Sequence, residues 1–159
     1  MKFWKHQMSR KKLQKFLAWL ALLVWMGVIF YFSHQSGDAS MQLSDGILDS
    51  FKSLFQNFLD YHTLSYIVRK IAHFTEYFIL GLLIYHLVKQ YRVISKTEII
   101  WMILFCVIYA MSDEFHQVFI GGRSPKFFDV IIDSLGSSLS ILILQLLQKR
   151  KIISKIESL

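Results

Sequence analysis

Three short clusters of ionisable residues interrupt otherwise apolar stretches of this 159-residue chain. The first holds Arg69, Lys70, His73 and Glu76; the second Asp113, Glu114, His116 and Gln117; the third Asp129 and Asp133, with Arg123 shortly before it. Carboxylates and imidazoles accept and return protons, while guanidinium and ammonium groups hold phosphate or carboxylate. Glu76 or Glu114 is therefore a candidate general base, with His73 or His116 shuttling protons. Asp113, Asp129 and Asp133 complete the candidate catalytic set, and Arg69, Lys70, Gln117 and Arg123 are candidates for holding a substrate. Ser112, Ser124 and Ser134 lie close by, but no activating base marks one of them as a nucleophile. A divalent metal is an alternative use of the same groups. His73 and Glu76 have the i, i+3 spacing of carboxylate-bundle ligands, and His116 and the aspartates could complete a shell.

These residues must be positioned by membrane helices. The chain is 54% hydrophobic with a mean hydropathy of +0.42, and its apolar residues fall in long runs. The run 16–33 is uncharged and spans about 27 Å as a helix, close to the hydrocarbon thickness. It is too long for a signal-peptide core and lacks an A-x-A cleavage site, so it reads as a retained anchor. Three further helices are expected at about 66–88, 97–119 and 127–147. Between the first two, Leu43, Ile47, Leu48, Phe51, Leu54, Phe55, Phe58 and Leu59 recur at helical spacing with polar residues opposite. That pattern predicts an amphipathic helix over 43–59, lying at the membrane interface. The fold class is thus an all-α integral membrane protein: a four-transmembrane-helix bundle, 16–147, with one amphipathic interfacial helix on the outer side. Basic cytoplasmic segments, 1–15 and 148–159, flank it.

Charge fixes the expected orientation. Thirteen of the eighteen Lys and Arg lie in the N-terminal segment, between helices two and three, or after helix four. The positive-inside rule then places both termini in the cytoplasm and the polar clusters in the outer leaflet of the cell membrane. The net charge of +7 belongs to helix ends rather than to a nucleic-acid-binding face, which excludes a nucleic-acid partner. The single cysteine, Cys106, sits inside an apolar run and reads as a buried, inert thiol without a disulfide.

Counting residues from the cytoplasmic lysines brings Arg69, His116 and Asp129 to one depth, each about 30 Å from the inner boundary. Arg69, His73 and Glu76 share one stripe of helix two, and Asp129, Asp133 and Gly136 one stripe of helix four. Asp113, His116 and Gln117 share a face of helix three. Such groups avoid lipid, so the stripes should meet and line one cavity, with Arg69 or Arg123 paired to an acid. Gly136 and Ser140 form a small-xxx-small pair suited to close helix approach. Partners expected on this reading are the lipid bilayer, a lipid-linked or cell-wall substrate, and a partner membrane protein. The alternative is a non-catalytic adaptor whose charged cluster staples helices together.

The strings RKIAHFTEYFILG (69–81), AMSDEFHQVFIGGR (110–123) and DVIIDSLG (129–136) resemble the VanZ-like family of small bacterial membrane proteins. WMGVIFYFSHQSG (25–37) is similar to that family's first-helix signature. The sequence departs from the family pattern where Gly121-Gly122-Arg123 replaces a Pro-Gly-Arg turn, and where His34 replaces a second Ser. The resemblance implies an envelope role at the outer membrane face, with a link to low-level teicoplanin resistance through the member that names the family. It implies no particular reaction.

Overall fold

Backbone amides inside a bilayer have no water to bond, so long apolar runs must close their own hydrogen bonds as helices. The computed structural model describes residues 2–37, 39–46, 60–122 and 126–157. These form four long helices: α1 Lys2–Ser33, α2 Tyr61–Lys89, α3 Lys96–Gln117 and α4 Phe127–Glu157. Each contains a stretch long and apolar enough to cross a membrane, over Ser9–Ser33, Tyr61–Lys89, Lys96–Gln117 and Phe127–Lys151. The protein is an all-α, multi-pass membrane protein.

The helices overrun the apolar runs that seeded them. α1 begins at Lys2 rather than near 16, and α4 continues to Glu157, so most of both basic end segments is helical. Neither segment contains Gly or Pro, and Lys, Arg, Gln and Leu are good helix formers, so helix propagates out of the spans. α2 starts at Tyr61 rather than near 66 because the Asp60 carboxylate accepts the Thr63 N–H at 3.0 Å and caps the first turn. Ser95 and Glu98 form a capping box that starts α3. Of the amphipathic helix expected over 43–59, residues 43–46 are helical, as the end of a helical stretch over 39–46, and 47–59 lie outside the described residues.

α2 makes its largest contact with α4, and also touches α1 and α3. Small residues permit that close seam. A Cβ at Gly81 would strike the Ser137 backbone and the Ser140 hydroxyl, and one at Gly136 would strike the Phe74 carbonyl. The buried core gathers Ala18, Leu22 and Ile29 of α1, Tyr77, Leu80 and Ile84 of α2, Met102, Cys106 and Ala110 of α3, and Ile141 of α4. Cys106 is buried as a free thiol. Leu20, Ile100, Ile108, Leu135 and Leu142 point outward, where lipid replaces water as solvent.

α1 is held by hydrogen bonds as well as by packing. Trp25 Nε1 donates to the Glu76 carbonyl at 2.9 Å, the Tyr109 hydroxyl to the Met26 carbonyl at 2.7 Å, and Gln117 Nε2 to Ser33 Oγ at 3.1 Å. At one end of the bundle, Lys15 Nζ lies 4.1 Å from the Tyr91 ring centroid and Trp19 Nε1 donates to the Tyr91 hydroxyl. At the other end, Lys70 pairs with Asp129, and the Gly37 N–H donates to the Gly121 carbonyl at 3.3 Å. The helices therefore alternate in direction, and the clusters of ionisable residues meet at this second, polar end.

Candidate functional site

Arg69, His73 and Glu76 recur every turn along α2 and line a cavity of about 300 Å³. Its other walls are Phe32 and Gln35 from the end of α1, and Ser40, Leu43 and Ser44 from the short helix beyond it. A cation, an imidazole and a carboxylate thus face a space large enough for a small polar group. Behind the cavity wall, His73 Nδ1 lies 3.8 Å from Asp133 Oδ1. This is an ion-pair separation, longer than a hydrogen bond. A carboxylate behind an imidazole fixes the ring's orientation and favours its acting as a base.

Asp133 is fully buried on α4, within the electric field of Asp113, Glu114, Asp129 and Glu76. Neither of its carboxyl oxygens has a hydrogen-bond partner among the described residues, and the same holds for the buried Tyr77 hydroxyl and Glu114 Oε1. Buried polar atoms in native proteins are nearly always bonded. Orphaned groups gathered at one depth are therefore what a site prepared for water, a proton or a ligand would show. Glu114 Oε2 accepts the Lys126 backbone N–H at 2.9 Å, just ahead of α4. Asp129, in the first turn of α4, is bound by the Lys70 ammonium and also sits favourably at the helix N-terminus.

A family model described as VanZ/LLP1 matches residues 17–148. The chain belongs to the VanZ/LLP1 family. No curated protein and no solved structure matches it. The matched span runs from the apolar part of α1 into α4, and leaves out most of the two basic ends.

The polar end of this VanZ/LLP1 protein differs in detail from the single cavity expected of its sequence. Arg69, His73 and Glu76 line the cavity, and Asp133 backs it, whereas Asp113 and Asp129 are buried among the helices. Among the described residues Lys70 rather than Arg69 is paired to an acid, since Lys70 lies on the α4-facing side of α2 while Arg69 faces the cavity. Arg123 lies outside the described residues. Gln117 is buried and donates to Ser33 Oγ on α1, so it joins helices. Glu114 faces away from the His73 cavity and lines a groove between α3 and α4.

His116 also turns away from the aspartates. Its Nε2 lies 3.0 Å from His34 Nδ1, the two rings stack with centroids 5.3 Å apart, and Phe30 packs against both. His34, Gln35 and Ser44 carry no spacing signal for this role. The one sequence hint was His34 standing where the family pattern has a serine. Among the described residues, no three His, Cys, Asp or Glu side chains come together as ligands for a metal ion.

Proposed function

We propose that this VanZ/LLP1 protein binds an anionic cell-envelope or lipid-linked substrate at the outer leaflet of the cell membrane. Proton transfer by His73 and Glu76 is the chemistry that the site offers such a substrate. The observation that carries the reading is the cavity lined by Arg69, His73 and Glu76, with Asp133 behind His73. Arg69 supplies the fork geometry that suits a phosphate or carboxylate. The outward orientation rests on the basic residues, which concentrate at the opposite end around Lys15, Lys89, Arg92, Lys96 and Lys149.

The staple reading has one observation in its favour, the buried Lys70–Asp129 pair. It does not account for a cavity-facing arginine, nor for carboxyl oxygens left without donors on Asp133. Complementation in a deletion background separates the two. His73→Gln, and Arg69→Gln combined with Glu76→Gln, should reach normal membrane abundance yet fail to restore an envelope phenotype such as teicoplanin susceptibility. Full complementation at normal abundance would leave only the staple.

A further inference from the structure

Three cations converge on one aromatic ring at the polar end. The Arg69 guanidinium carbon, Lys70 Nζ and Lys126 Nζ lie 5.9, 5.1 and 5.7 Å from the centroid of Tyr66. Asp129 neutralises Lys70, but Arg69 and Lys126 make no ion pair among the described residues. The ring face attracts each cation while the cations repel one another, so an anion placed between them relieves the repulsion.

Lys126 also borders a second feature. Between α3 and α4 runs a groove of about 310 Å³, lined by Met111, Phe115, Val118, Phe127 and Val130, with Glu114 among them. Phe115, Phe127, Met111 and Val118 are more than half exposed on the flank of two membrane spans, so the groove opens toward lipid. Glu114 is buried there, and its Oε1 is without a hydrogen-bond partner among the described residues. The groove therefore offers apolar walls and a cationic mouth.

We infer that the Lys126–Tyr66–Arg69 mouth and the α3–α4 groove together bind one anionic phospholipid-type molecule, phosphate at the cations and hydrocarbon chain in the groove. The inference rests on the polar end being a site for an anionic envelope molecule, and adds that the molecule is a lipid arriving sideways from the bilayer. Arg69 belongs to both features, so a phosphate held there lies at the edge of the His73–Glu76 cavity.

The test uses the purified full-length protein in detergent, with bound molecules counted by native mass spectrometry. The probes are phosphatidylglycerol, phosphatidylcholine and glycerol phosphate alone. Phosphatidylglycerol should be retained most strongly. Lys126→Gln should reduce its retention about tenfold, as expected for loss of one charge-assisted hydrogen bond, and Lys126→Arg should restore it. Val118→Trp, which fills the groove from an exposed position, should also reduce phosphatidylglycerol retention and leave the weak binding of glycerol phosphate unchanged. Equal retention of both lipids, insensitivity to Lys126→Gln and Val118→Trp, or glycerol phosphate binding as strongly as the lipid would each overturn the inference. Lipid retention that fails while His73→Gln still abolishes the envelope phenotype would remove the lipid groove and leave the proposed function intact. Retention that survives while His73→Gln complements fully would do the reverse.

Discussion

Near Tyr91, the buried Tyr85 hydroxyl of α2 meets both Gln145 and Gln148 of α4, at 3.0 and 2.8 Å. At the polar end of the same helix pair, Asp133 of α4 faces α2 with no hydrogen-bond partner for either oxygen among the described residues, and His73 Nδ1 lies 3.8 Å from it. Both ends must hold helices together in lipid, where neutral side-chain hydrogen bonds suffice. The Tyr85 end does so with uncharged groups that satisfy one another. The polar end uses buried carboxyls, which are expensive to place in a membrane and are left incompletely bonded. A packing role accounts for the first arrangement. The second carries more polarity than packing requires.

The largest effect should come from the Lys70–Asp129 pair, which is built like a staple. Lys70→Met deprives the buried Asp129 of this ion pair, and should cost about 3–5 kcal/mol, seen as a lower thermal midpoint in detergent and reduced membrane abundance. Adding Asp129→Leu should recover most of that loss. A double variant as unstable as the single one would mean that Lys70 supports the bundle in some way other than this pair.

Asp133 and Tyr85 sharpen the contrast further. Asp133→Asn replaces a buried carboxyl that receives no hydrogen bond among the described residues, so stability should stay level or rise while complementation of the envelope phenotype is lost. Tyr85→Phe should cost about 1 kcal/mol, the net value of an ordinary hydrogen bond, with complementation retained. A loss of stability at Asp133 as large as that of Lys70→Met would make the polar end a staple throughout.

The smallest effect belongs to the edge of the polar end, at the start of α2. Hydrogen bonds from the Thr63 side chain and backbone N–H hold the Asp60 carboxyl below its ordinary value of 3.8. A lowered value means that the cap's contribution is complete above the ordinary value and is lost as the pH falls through the lowered one. The protection of amides 61–64, measured against their intrinsic exchange rates, should therefore fall on acidification below about pH 4 in the native protein and change less in Asp60→Asn. Identical acid profiles would show that the cap is not the origin.

The spans and the gathering of Glu76, Asp113, Asp129 and Asp133 at one end of the bundle were legible in the sequence, because lipid enforces long runs and a fixed rise per residue converts numbering into position along each helix. The stripe of Arg69, His73 and Glu76 was legible for the same reason, as helical spacing places them on one face. What helical spacing could not resolve was the choice between neighbours. Arg69 and Lys70 are one residue apart, about 100° around the helix, and only the position of α4 decides which of them meets Asp129. The pairing of His116 with His34 depends on how α1 leans on α3, and nothing in either helix alone encodes that angle. The basic ends extend α1 and α4 because charge alone does not stop a helix, whereas Gly, Pro or a competing cap does so with force.

The Gly37–Gly121 hydrogen bond joins the turn after α1 to the turn after α3, and a side chain at Gly37 would collide with the Gly122 carbonyl. Gly122 takes a positive φ of 74°, which glycine adopts without strain. The two turns are thus clipped backbone to backbone across most of the chain's length. In a polypeptide made from its N-terminus onward, the first turn has to wait for the whole of α2 and α3 before its partner exists. Contacts of such long sequence separation form late, after the entropy of the intervening loop has been overcome. Until then the end of α1, with His34 and Gln35, lacks this clip, so the wall it gives the His73 cavity is fastened only once the later turn arrives.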